Sequence, residues 1–418
     1  MTDSFSKKPA LVLFALLLMM LVSCSDRARL NPLDPNNPYS QGAPTGVRLF
    51  SQRNTVTLLW SPMPVNDLEH YIIYRSAEQG GLARYDSIPA NVTQYTDNNV
   101  TYDKQYTYAI QAQTKYDESR LSETLSIVPG AYDIVVADYY SQRLIKITYD
   151  GNRMFEFYDG YTPTDLAIFD HRIYFTNLWD NSLKYIDQSG DVHSFSLGEA
   201  PVDFAFDRNN RFIYILARDN NSLFILSVDG EFRGKVTLDA DIHFYSACSY
   251  DPVLDCLWIT DESFHKIYRF DPASDALTLI AENIRGPEEF IIDSANGGGW
   301  IASLNGIIHV RSDNSVERLL PNHYIYDISR DESSGLLYYS GYSTENNSWE
   351  IGYVSETTYT VLHTSYAYIY KIKIVPETIG TGLALIDGYN AEIIRLNARG
   401  QEIGRRAGIY GVTGIELR

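Results

Sequence analysis

From residue 133 to its end this chain repeats one unit, marked by a five-residue pattern that occurs seven times. The copies are TDLAI (164–168), VDFAF (202–206), SACSY (246–250), EEFII (288–292), YDISR (326–330), YKIKI (370–374) and TGIEL (413–417). After a short turn, each of the first six is followed by an apolar strand, for instance RIYFTN (172–177) or CLWITD (256–261). A seventh such strand, DIVVAD (133–138), has no partner before it, and TGIEL has none after it. The two orphans complete each other if the ends of the repeat are joined in a ring. Units of about forty residues cannot bury their own faces, so seven of them predict a circular β-propeller closed by the C-terminal strand. The sixth unit (336–364) is long and loose, and misreading it would leave six blades.

Third strands such as RLIKI (143–147) and EIIRLN (392–397) and outer strands such as DVHSFSL (191–197) complete the pattern. The order within a blade is then inner, second, third, outer. Alternation and β-branched and aromatic enrichment favour strands over helices throughout. The 33 tyrosines suit half-exposed sheet, where an apolar ring with a polar tip is at home. A formal charge of −19 argues against nucleic acid as a partner, because phosphate neutralisation needs clustered Lys and Arg. It leaves a solvated acidic surface or a cationic partner open.

At the N-terminus, Lys7 and Lys8 precede an apolar run from Ala10 to Val22. That run is short of the about 20 residues a bilayer demands and matches a signal-peptide core. It ends in Leu21-Val22-Ser23-Cys24, which resembles the lipobox of bacterial lipoproteins. The resemblance implies a signal peptide over 1–23, acylation of Cys24 and a membrane partner reached through the N-terminal lipid. In that family an Asp after the cysteine favours inner-membrane retention, so Ser25 points to the outer membrane; which face it occupies stays open. Residues 24–43 are rich in Pro, Asn and Asp and form a tether that reaches roughly 60 Å when extended.

Residues 44–129 hold short alternating strands, TVTLLW (55–60), EHYIIYR (69–75), TQYTD (93–97) and QYTYAIQAQ (105–113), at the spacing of a β-sandwich. Trp60 at a strand end, the Tyr71–Arg75 run and Tyr106 at the tyrosine-corner position resemble a fibronectin type III domain. The units over 131–418 resemble NHL and related propellers: an apolar strand ends in Asp or Asn, turns, and a Leu/Ile-rich strand follows.

Two polar columns emerge from the repeat. One ends the second strand: Asp138, Asn177, Asp219, Asp261, Asn305 and Asp387. Such residues accept hydrogen bonds from turn amides, and capping is the reading given to them. The other is the second residue of the pentapeptide, where Asp165, Asp203, Glu289 and Asp327 are acidic and Lys371 stands beside Asp327. Four carboxylates at one mouth of the channel predict either a site for a divalent cation or cationic ligand, or hydrogen bonds from each carboxylate to the neighbouring blade. Cys248 and Cys256 flank Pro252 on one predicted hairpin, where a cross-strand disulfide or two buried thiols are both open.

Catalytic patterns are scarce. There is no His-Glu-x-x-His, no Gly-x-Ser-x-Gly and no phosphate-binding glycine loop. The expected function is a lipid-anchored envelope protein whose propeller is a platform for protein or glycan. The alternative is a metal-dependent hydrolase or lyase at the acidic mouth, which loosely resembles the metal site of propeller lactonases.

Overall fold

The structure is a computed structural model. It describes residues 30–418 apart from 53, 79, 152–153, 244–245, 289, 356–357, 366–367 and 379. Every regular element in it is a β-strand, and the chain folds as two compact units, the larger taking Val128–Arg418.

The smaller unit has two antiparallel sheets. Arg48–Gln52, Thr55–Leu59 and Gln94–Asp97 make one; Ala83–Pro89, Leu68–Ala77, Tyr106–Thr114 and Leu125–Ile127 make the other, in that order. The sequence alternates as a half-buried sheet should, and Val56, Leu58, Ile73, Tyr108 and Ile110 fill the space between the sheets. Trp60 lies edge-on to Tyr71 at 5.2 Å between ring centres. A buried carboxylate ties the two sheets together: Asp97 accepts bonds from Arg75 at 2.7 Å and the Tyr108 hydroxyl at 2.8 Å.

The larger unit is a seven-bladed propeller of four-stranded antiparallel sheets. The inner strands are Pro163–Phe169, Pro201–Asp207, Ala247–Asp251, Phe290–Ile292, His323–Arg330, Ile369–Pro376 and Val412–Leu417. Each touches the next around a closed cycle. The last does not belong to the seventh blade. It pairs antiparallel with Ile134–Asp138, the second strand of the first blade, from Val412 opposite Asp138 to Leu417 opposite Ile134. Asp133 and Arg418 exchange both backbone bonds beyond it, at 3.0 and 2.9 Å. The sixth unit forms a full blade, Leu337–Ser343 pairing along its whole length with Ser348–Val354, so the ring has seven blades.

Burial explains why second strands read as continuous apolar runs. Each blade is pressed between two neighbours, so both faces of Ile134–Asp138 and of Cys256–Asp261 are buried at every position. Outer strands such as Val192–Ser196 face solvent and alternate only weakly. Seven apolar clusters result, one for each contact between neighbouring blades, including the seventh with the first, where Val375, Ala384 and Ile386 meet Ile134, Val136 and Ile145.

Deleting residues 411–418 removes the inner strand of the first blade, leaving the edge of Ile134–Asp138 unpaired and one apolar cluster open. The expected result is loss of a single cooperative thermal transition, with aggregation, in calorimetry and size-exclusion chromatography. A truncated chain that melts as the intact one does would show that closure by this strand contributes nothing.

Candidate functional site

Each inner strand begins beside the end of its second strand, so the first residues of all seven inner strands gather on one face of the ring. There the ladder is broken in a repeated way. Register shifts fall between Pro163 and Leu166, Pro201 and Asp203, Ile325 and Asp327, Ile369 and Lys371, and Val412 and Gly414. Each is a bulge, one extra residue that twists the strand and re-aims its side chains. In four of these strands the extra residue is the first of the pentapeptide: Val202, Tyr326, Tyr370 and Thr413.

These bulges line a cavity of about 540 Å³ at the channel mouth. All seven first-position residues line it: Thr164, Val202, Ser246, Glu288, Tyr326, Tyr370 and Thr413. Strict period-two reading hid this column, because a bulge turns two consecutive residues toward the axis. The clue in the sequence was the proline two residues ahead of each acid in three copies, which marks an irregular strand entry.

The acidic column divides. Asp165 and Asp203 line the cavity. Asp327 is buried, and its Oδ2 accepts the Ile372 N–H of the next blade at 2.7 Å. Asp203 does the same: its Oδ2 accepts the Cys248 N–H at 2.6 Å and its Oδ1 the Phe204 N–H at 2.8 Å. The Asp165 side chain, like those backbone bonds, pulls the Asp203 carboxyl down, but burial outweighs them. Burial holds Asp203 and Asp327 above the usual carboxylate range, against the pull of their backbone bonds and of Lys371. Burial likewise raises Glu288, with Lys371 opposing and Asp327 reinforcing. Glu289 lies outside the described residues, as does Cys24.

The described residues do not fit a resident metal. No three His, Cys, Asp or Glu side chains among them converge as ligands. Asp203 and Asp327 spend their oxygens on backbone amides and are driven toward the neutral form, the reverse of what a cation site demands. The bond to the neighbouring blade is the role the geometry gives these two aspartates.

A second set of carboxylates, missed in the sequence, works at the opposite ends of the inner strands. Asp251 Oδ2 accepts the Gly298 N–H of the next blade at 2.7 Å, Arg330 of the next blade reaches Asp293 at 3.1 Å, and Thr381 of the next blade donates to Asp331. Burial opposes ionisation of Asp331, but bonds from Thr381, Ser333 and Ser334 prevail and hold it down at about 2. The column ending the second strands caps turns at Asp138, Asp261 and Asp387, which accept from Ser141, Phe264 and Tyr389. Asn177 and Asp219 instead accept from the incoming connection, at Thr162 and Ala200.

The disulfide is not formed, and Cys248 and Cys256 are both buried thiols. Cys248 sits opposite Ile259, and Cys256 opposite Asp251. The hairpin is therefore centred between Val253 and Leu254 rather than on Pro252. That offset sends the two thiols to different faces of the blade, Cys248 into the cluster shared with the third blade and Cys256 into that shared with the fifth.

No protein-family model matches the chain. A stretch of 89 residues is 40% identical to an amylopullulanase from Thermoanaerobacter thermohydrosulfuricus; it covers 21% of this chain and only 6% of that enzyme. Among solved structures, a functionally unknown protein from Desulfotomaculum acetoxidans superposes with a TM-score of 0.53 at 16% identity, over 68% of this chain and 98% of its own. A protein from Lactobacillus plantarum gives 0.52 at 13%, over 69% and 99%. A candidate 6-phosphogluconolactonase from Bacteroides uniformis gives 0.51 at 14%, over 69% and 99%. These neighbours are β-propeller proteins, and at such identity they show the fold alone.

Two outcomes follow. Asp327→Ala orphans the Ile372 N–H and is expected to cost about 1–3 kcal/mol, whereas Asp327→Asn keeps an acceptor, removes the raised carboxyl and is expected to cost under about 1 kcal/mol in denaturant unfolding. Equal losses would mean that the charge itself is needed. Both thiols are buried, and burial pushes that of Cys256 up to about 12, so Cys248 and Cys256 should resist alkylation at pH 8 until the chain is unfolded. Rapid labelling of either in the native protein would contradict the packing.

Proposed function

We propose that this chain is a lipid-anchored bacterial envelope protein that binds protein or glycan at the mouth of its propeller. Acylation of Cys24 and the tether over 24–43 hold it to the outer membrane. The sandwich is a fibronectin type III-like spacer, and the blades are of the NHL-like kind. The lipobox supports the anchor, and the three-plus-four strand order of the sandwich supports the spacer.

One observation carries the binding role: a cavity of about 540 Å³ on the ring axis, lined by tyrosines and carboxylates on the face where inner strands begin. Ligand sites fall in the range of about 300–1,000 Å³ and combine aromatic walls with a few polar groups. The lactonase-like alternative finds no support among the described residues, because two of its acidic groups are spent on neighbouring blades.

Two measurements test the proposal. Cys24→Ser should shift the protein from the detergent-extracted membrane fraction to the soluble one; unchanged partitioning, with no lipid mass on the N-terminal peptide, rejects the anchor. Immobilised protein should retain protein or glycan from an envelope extract, and Tyr326→Ala with Tyr368→Ala should abolish retention without lowering the melting temperature by more than a few degrees. Identical capture by the double variant would move the binding surface away from the mouth.

A further inference from the structure

The mouth is not symmetric. On the side of the sixth, seventh and first blades it is walled by tyrosines, among them Tyr326, Tyr368, Tyr370 and Tyr139. On the side of the second to fifth blades it presents Thr164, Asp165, Asp203, Ser246 and Glu288. Lys371, on the inner strand of the seventh blade, stands within the tyrosine side and is coupled electrostatically to Asp203, Glu288 and Asp327. One side is therefore largely aromatic and carries an ammonium, and the other offers acceptors and hydroxyls.

The aromatic wall continues outward. Tyr370 stacks on Tyr368 at 5.7 Å; Tyr368 meets Tyr326 at 4.9 Å and Trp349 at 5.2 Å; Trp349 meets Tyr342 at 5.2 Å, and Tyr342 stacks on Tyr324 at 6.3 Å. This is an unbroken track from the cavity to Tyr324, which is exposed. The seat of the track is cut to fit: a Cβ on Gly388 would stand 2.6 Å from the Tyr370 ring. Separate turns on the same face carry further exposed rings, Trp179 at 81%, Tyr389 at 86% and Tyr140 at 75% exposure. Leaving such rings in water forgoes the free energy of burying them, and clustered exposure marks a contact surface.

Resting on the binding role proposed above, we infer that the ligand is a neutral glycan chain, with one sugar unit held in the mouth and the following units laid along the aromatic track. A pyranose ring has the matching two-sided character. Its C–H face packs on a flat aromatic ring, and its hydroxyl edge both donates and accepts, which suits carboxylates, hydroxyls and an ammonium together. Charge decides against other occupants. An anionic chain would face Asp165, Asp203 and Glu288, and a cationic one would compete with Lys371, which already sits among them. The length of the track favours a chain over a single sugar.

The test is titration calorimetry of the full chain with neutral soluble polysaccharides (α- and β-glucans, mannan, xylan and galactan), with polygalacturonate and chitosan as charged counterparts, and with short oligomers of any polymer that binds. A neutral polymer should bind with an affinity that changes less than about twofold between 50 and 500 mM salt. Tyr324→Ala and Trp349→Ala, on the track, should weaken the polymer at least fivefold and the disaccharide hardly at all. Asp165→Ala and Lys371→Ala, at the mouth, should weaken both. Melting curves of each variant separate loss of binding from loss of fold. Salt-sensitive binding of only a charged polymer overturns the inference, and so does failure of every neutral polymer. Capture of an envelope protein that is lost in the mouth variants would then leave the platform role standing and the glycan excluded. Absence of both would end both.

Discussion

Everything in the propeller depends on a strand that cannot be buried by its own blade. Ile134–Asp138 is buried at all five positions and Cys256–Asp261 at all six. A sheet with both faces apolar is tolerable only between two neighbours, so each blade is a demand for two others, and the demand is met only when the ring closes. Borrowing the inner strand of the first blade from the C-terminus meets it in the covalent order the chain has. The same pairing places the two ends of a 286-residue stretch in one sheet, from Asp133 to Arg418, so that the first blade cannot be completed before the C-terminal strand is in place.

Apolar contact alone does not fix how neighbouring blades slide along one another. Carboxylates at both ends of the inner strands supply that constraint, each accepting from the next blade. Their electrostatic cost differs with depth. Asp331 gathers several donors and is held low, so its contribution is present above the unfolded carboxylate range and fades as the pH falls toward about 2. Asp203 and Asp327 are raised by burial, so their folded forms bind a proton more readily than the unfolded chain does, and acid favours folding at those two positions. The two ends of the ring therefore respond to acid in opposite senses.

The repeat made the fold legible from residues alone. Arg172–Asn177 and Cys256–Asp261 match the apolar runs read from the sequence residue for residue, and the orphan strands pair as the ring requires. What failed to show was register. The pentapeptide looked like plain alternation, yet a bulge at its start turns Tyr326 and Asp327 both away from the ladder's regular alternation. The cysteine hairpin erred for the same reason: a four-residue turn, not a proline-centred one, set the pairing. Tyrosine abundance was visible, but its concentration at one mouth needed three dimensions, since Tyr326 and Trp349 come from two strands of the sixth blade and Tyr368 from the entry to the seventh.

The bulge also gives two adjacent residues different surroundings. The second position of the pentapeptide is acidic in several blades, and where it is buried it binds the neighbouring strand. A residue with that duty must recur wherever the duty recurs. In four strands the first position is the extra residue of the bulge, and its side chain is used differently from blade to blade. The Thr164 and Thr413 hydroxyls donate to Pro201 and Pro163 of the next blade, and the Tyr370 hydroxyl accepts the Val412 N–H. The first position runs Thr164, Val202, Ser246, Glu288, Tyr326, Tyr370, Thr413 around the ring. A ring of near-identical backbones thus carries a mouth with no rotational symmetry in its chemistry. A mouth that is aromatic on one side and polar on the other distinguishes the two faces of a ligand, which a symmetric ring of seven equal groups could not do.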